Sequence, residues 1–127
     1  MANEKILVIE DNPMNMLLVR DLLQFDGYTV LEATDAEKGV QMARESLPDL
    51  ILMDIQLPGM DGLEATRIIC QDPALNTVPV VALTSYAMKG DEEMAREAGC
   101  AGYIAKPLDT RSFNDTVSGF LKSARPK

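Results

Sequence analysis

Histidine and tryptophan are both absent from this 127-residue chain, cysteine occurs twice, and aromatic side chains make up only 5% of the residues. Without histidine there is no Ser-His-Asp or Cys-His triad, no His-ligated zinc and no role as a phosphohistidine carrier. Cys70 and Cys100 do not form a C-x-x-C pair and read as buried thiols of a reducing compartment. No apolar run reaches the roughly 18 residues of a membrane span. The N-terminal MANEKILVIED lacks the apolar core of a secretory signal, so the expectation is a cytoplasmic chain with no membrane partner. Positive charge is also scarce, with 12 Lys and Arg against 20 Asp and Glu and a formal net charge of −8. That balance argues against nucleic acid, which is held mainly by clustered Lys and Arg. Lys122, Arg125 and Lys127 read as a short basic tail over 122–127. The chemistry left to the chain is that of carboxylates, hydroxyls, lysines and a bound metal.

Hydrophobic residues at 46% and charged residues at 25% are ordinary for a globular protein, and the length suits a single domain spanning 1–127. Short apolar runs alternate with amphipathic stretches, the pattern of a parallel sheet wrapped by helices in the α/β class. Strands are expected at Lys5–Ile9, Tyr28–Ala33, Asp49–Asp54, Val78–Leu83 and Ala101–Ala105. Asn12 followed by Pro13 reads as an N-cap with proline at the first helical position, and Gly27 is placed to end that helix. Its expected apolar stripe is Leu18, Val19, Leu22 and Leu23. Thr34 and Glu37 fit a capping box for the next helix, with Ala36, Val40, Ala43 and Leu47 on its inner face. Gly39 inside that helix is expected to cost about 1 kcal/mol relative to alanine. Further helices are read at Asp61–Cys70 and Lys89–Ala98, and a last one buries Phe113, Val117, Phe120 and Leu121. The Lys89–Ala98 helix offers only Met94, Ala95 and Ala98 to a core, so it is weakly anchored and suited to move.

Acidic side chains collect at strand ends: Glu10 and Asp11 follow the first strand, and Asp54 ends the third. In open α/β sheets, ligand sites lie at the carboxyl ends of strands where the winding direction reverses. If the first and third strands are neighbours, the three carboxylates repel one another unless a cation sits between them or one is protonated. An all-oxygen donor set without His or thiolate favours Mg²⁺. Thr84-Ser85 after the fourth strand adds hydroxyls, and Lys106-Pro107 after the fifth adds a cation. Carboxylate, metal, hydroxyl and lysine together are the parts that phosphoryl transfer to a carboxylate requires.

The segments ILVIEDNPMN, DLILMDIQLPGMDGLE, VPVVALTSYAMKGD and AGCAGYIAKPLD stand in the order and spacing of bacterial response-regulator receiver domains, which the chain resembles over essentially its whole length. The wording MDIQLP and YAMKGDEE is similar to stand-alone cell-division regulators of that family and to receivers fused to hybrid kinases. The resemblance implies a doubly wound sheet of strand order 2-1-3-4-5 with five helices, the flavodoxin-like order of which receivers are themselves a standard example. It implies that Asp54 is the phosphoacceptor and that Mg²⁺ is held by Asp11, Glu10, Asp54 and the Gln56 backbone carbonyl. Lys106 and Thr84 would contact the phosphoryl group, and Tyr103 would turn inward with Thr84. Tyr86 would tune the access of hydrolytic water, and the Lys106–Pro107 peptide bond would be cis. The implied function is a phosphorylation-dependent switch of a two-component system or phosphorelay. Its implied partners are a sensor histidine kinase or histidine phosphotransfer protein and a downstream protein target, reached through the 89–121 face. The only reaction it would catalyse is its own phosphorylation and dephosphorylation.

Two other functions compete. A Mg²⁺-dependent phosphatase working through an aspartyl phosphate needs a second acid two residues after the nucleophile, and that position is Gln56. A flavin carrier of the same fold class cradles phosphate with a Ser/Thr/Gly loop after the first strand, where this chain has EDNP, whose two acids repel phosphate.

Overall fold

Five short strands form, the three inner ones buried along nearly their whole length and the two edge ones only in part. The computed structural model describes residues 4–55, 62–84, 89–105 and 108–123. Among these residues the elements run β1 (Lys5–Ile9), α1 (Pro13–Phe25), β2 (Thr29–Ala33), α2 (Ala36–Ser46), β3 (Leu50–Asp54), α3 (Gly62–Gln71), β4 (Val80–Thr84), α4 (Lys89–Ala98), β5 (Gly102–Ala105) and α5 (Phe113–Ser123). The strands form one sheet of order β2-β1-β3-β4-β5 with every pair parallel. This is the expected doubly wound α/β architecture.

Alternation along each strand divides the core into two layers. Leu7, Ile9, Ile51, Met53, Val80 and Ala82 pack under α2, α3 and α4. Ile6, Val8, Leu50, Leu52, Val81 and Leu83 pack under α1 and α5. All five residues of β3 are buried, as befits the central strand.

Helix starts follow local chemistry. Asn12 Oδ1 accepts hydrogen bonds from the backbone N–H of Met14 at 2.9 Å and of Asn15 at 3.2 Å, and Pro13 follows it. The second helix departs from the sequence reading, because its cap is Asp35 rather than Thr34. The Asp35 carboxylate accepts from Lys38 N–H at 2.8 Å, which moves the start by one residue and leaves Glu37 outside a capping box. Leu47 does not join the core either. It caps the end of α2 in the left-handed region at φ 49° and is 53% exposed. Leu18 is likewise exposed, and its place on the inner face of α1 is taken by Met16, with Val19 and Leu23.

Gly39 has a reason that helix propensity does not supply. A Cβ there would collide with Ile9 Cδ1 and stand 2.7 Å from Ile9 Cγ1. Glycine therefore permits the close approach of α2 to β1, offsetting its conformational cost.

Candidate functional site

The register of the sheet assembles the acidic site. Ile9 of β1 lies opposite Met53 of β3, so Glu10, the next residue, arrives level with Asp54. Both acids continue the parity of Val8 and Leu52, whose face lies under α1 and α5. Glu10, Asp11 and Asp54 each offer a carboxylate oxygen, and these oxygens all lie within 4.8 Å of one another. Glu10 and Asp54 are 1% and 3% exposed, whereas Asp11 faces solvent.

The surrounding backbone holds these groups in place. Glu10 N–H donates to Ala33 carbonyl oxygen at 3.0 Å, and its Oε2 accepts from Asn12 N–H at 3.1 Å. Asn12 thus supports Glu10 through its backbone while its side chain starts α1. On the other side, Ile55 N–H donates to Leu83 carbonyl oxygen at 3.1 Å, tying the peptide after Asp54 to β4. Three carboxylates at this spacing are mutually repulsive, and a hard cation with oxygen ligands would relieve that repulsion. The donor chemistry fits Mg²⁺, for which a few carboxylates complemented by water are the usual protein contribution.

Thr84 ends β4 and is 1% exposed, and Asp54 lies opposite Leu83, one residue earlier. Tyr103 on β5 pairs with Ala82 and packs, half-buried, against the layer under α3 and α4. Thr84 shares the parity of Ala82, so the hydroxyl and the tyrosine belong to the same face of the sheet. Gln56, Tyr86, Lys106 and Pro107 lie outside the described residues.

Both cysteines are free thiols, Cys70 half-buried and Cys100 buried. Burial pushes the Cys70 thiol up from its ordinary value and Cys100 up to about 11, so both are protonated at neutral pH and poor nucleophiles.

Two features of the site escaped sequence reasoning. A groove of about 370 Å³ opens beside the acids, bordered by Glu10, Asp11, Met16, Leu17, Arg20 and Glu32. Gly62, at the start of α3, lies against the Asp54–Ile55 backbone. The glycine was visible in the sequence, but a close approach to a strand end several residues earlier has no local signature.

No helix among the described residues is long and apolar enough to cross a membrane. Residues 6–118 match the response regulator receiver domain family. The polar-differentiation response regulator DivK of Brucella anthropi is 44% identical over 121 residues, covering 95% of this chain and 98% of its own. A receiver domain of a sensor histidine kinase from Pseudomonas aeruginosa, with magnesium coordinated in its active-site cleft, superposes with a TM-score of 0.89 at 36% identity, covering 96% of this chain and 100% of its own. The Vibrio cholerae chemotaxis protein CheY4 shares the fold with a TM-score of 0.88 at 24% identity, covering 93% of this chain and 98% of its own. The chain belongs to the response regulator receiver domain family of two-component signalling.

Proposed function

We propose that this receiver is a phosphorylation-dependent switch that takes a phosphoryl group onto Asp54 from the phosphohistidine of a sensor kinase or a histidine phosphotransfer protein. The observation that carries this reading is the cluster of Glu10, Asp11 and Asp54 carboxylates within 4.8 Å at adjacent strand ends. Glu10, Asp11 and Asp54 would hold Mg²⁺, joined on family grounds by the Gln56 backbone carbonyl. When bound, the ion offsets negative charge on the transferring phosphoryl oxygens. An Asp54 carboxylate oxygen attacks phosphorus. The new P–O bond forms as the donor's P–N bond breaks, and the electron pair returns to the imidazole nitrogen.

On the same reading, Lys106 and the Thr84 hydroxyl bind the phosphoryl oxygens, Tyr103 turns inward with Thr84, and Tyr86 controls hydrolytic water. The cis Lys106–Pro107 bond belongs to this family-based reading as well. Met14, Leu17 and Leu18 are 74%, 44% and 37% exposed on α1, which gives a protein donor an apolar approach beside the acids.

The output surface is the 89–121 face, touched by a downstream protein target. Met94 of α4 is 48% exposed, and Ala95 and Ala98 are the buried residues described on that helix. So little apolar anchorage suits a two-state element. The switch turns over no separate substrate, works in the cytoplasm, and occupies 1–127 as one receiver domain. The 36% identity to a kinase-borne receiver supports a second reading, a receiver that belongs to a hybrid histidine kinase.

Intact-mass measurement after exposure to phosphoramidate and Mg²⁺ tests the reading. One phosphoryl group should be gained by the wild type and lost with Asp54→Asn or with chelation. Equal incorporation in Asp54→Asn would overturn it.

A further inference from the structure

Gly62 is buried at the first position of α3. A Cβ at that position would collide with the Asp54 carbonyl oxygen and stand 2.6 Å from Ile55 Cα and 3.0 Å from the Asp54 carbonyl carbon. At Gly39, Gly99 and Gly102, by contrast, the added carbon would meet side chains, those of Ile9, Cys70 and Phe120. A side chain can rotate away, but a strand backbone cannot. Any residue larger than glycine at 62 forces either α3 to retreat or the end of β3 to move, and Asp54 is that end.

Two further bonds fix the same contact. Thr66 is fully buried, and its Oγ1 donates to the Gly62 carbonyl oxygen at 2.8 Å, which holds the first turn of α3. Ile55 N–H, in the peptide whose carbonyl faces Gly62, donates to Leu83 of β4. That one peptide is therefore clamped between β4 and the first residue of α3.

We infer that Gly62, held by Thr66, is a positioning residue that sets the Asp54 carboxylate relative to Glu10 and Asp11. The inference rests on the reading of these three acids as a Mg²⁺ site. Neither residue is a ligand itself. Their effect is to fix the direction in which a ligand points, and outer-shell groups of this kind commonly alter metal affinity by about 10–100-fold.

Calorimetric titration of the full chain with Mg²⁺ alone tests this, with urea unfolding of each variant in EDTA to certify folding. Gly62→Ala should weaken Mg²⁺ by about tenfold or more, whereas Gly102→Ala, whose added carbon meets the Phe120 ring at the opposite end of the strands, should stay within about twofold of wild type. Thr66→Val should weaken it severalfold and Thr66→Ser, which keeps the hydroxyl, should restore it. Gly62→Ala binding within about twofold of wild type overturns the inference. If Gly62→Ala does not fold, the two Thr66 variants decide, and equal affinity of Thr66→Val and Thr66→Ser overturns it. A wild-type protein that takes up no Mg²⁺ is a different result, which overturns the metal reading and this inference with it.

Discussion

Asp54→Asn should make the metal-free protein harder to unfold. The substitution keeps the side-chain shape and removes one of three charges whose oxygens lie within 4.8 Å. A pair of unit charges at 4.8 Å repels by about 3.5 kcal/mol at an effective dielectric constant of about 20, and by about 0.9 kcal/mol in water. The Asp54–Glu10 pair is buried and belongs near the first value, and the pair with exposed Asp11 belongs near the second. Against this relief stands the weakening of hydrogen bonds that the ionised carboxylate accepts, roughly 1–2 kcal/mol. A net gain of about 2.4–3.4 kcal/mol remains, equivalent to a urea midpoint raised by about 1.2–2.3 M for a denaturant slope of about 1.5–2 kcal/mol/M.

Far-UV circular dichroism in EDTA is the assay, since the chain has no tryptophan to report by fluorescence. Saturating Mg²⁺ should raise the wild-type midpoint and raise that of Asp54→Asn much less, because binding to the folded state alone is what stabilises it. A midpoint for Asp54→Asn at or below wild type in EDTA, with an unchanged slope, would refute the argument that these carboxylates strain the metal-free protein.

Gly39→Ala should not deliver the helix-propensity gain of about 0.8–1 kcal/mol, because overpacking against Ile9 costs about 1–3 kcal/mol. Removing Ile9 Cδ1 with Ile9→Val should make the alanine better tolerated in a double-mutant cycle, and stabilisation by Gly39→Ala alone would contradict the packing. Leu47→Gly should stabilise by about 1 kcal/mol in urea unfolding, since Leu47 is exposed and left-handed. A measurable loss of stability would instead reveal a packing role for its side chain. The Cys100 thiol, raised by burial from 9.0 to about 11, holds its proton in the folded state beyond the pH at which the unfolded chain releases it. Its contribution is therefore complete below pH 9.0 and is lost as pH rises from there toward 11. Burial raises Tyr28 as well, so the check is a shallower alkaline decline in Cys100→Ala, and an unaltered slope would rule Cys100 out.

The legible part of the fold was the part written in short-range pattern. Continuous apolar runs marked the strands, and Asn12-Pro13 and Gly27 marked the ends of α1. The choice between Thr34 and Asp35 was not legible, because either residue can cap a helix and only the backbone path selects one. Leu47 looked like core by spacing, since a four-residue period does not reveal that the helix ends one residue earlier. Of the site, the acidic residues were visible as strand-end carboxylates. Their convergence depends on which strands are neighbours, and the strand order came from the family resemblance rather than from periodicity.

By itself, then, the sequence determined the class of elements and the available chemistry: a chain without histidine, with oxygen donors at strand ends and short apolar runs for strands. Tertiary structure alone decided the rest. The β1–β3 register brings Glu10 level with Asp54, although β2 and two helices separate them along the chain, a match set by hydrogen bonds between strands. The distances at Gly39 and Gly62 are set by how closely helices seat on the sheet, and that depends on all the side chains between the layers at once. Local pattern carries the period of an element, whereas separation between elements is a property of the packed whole.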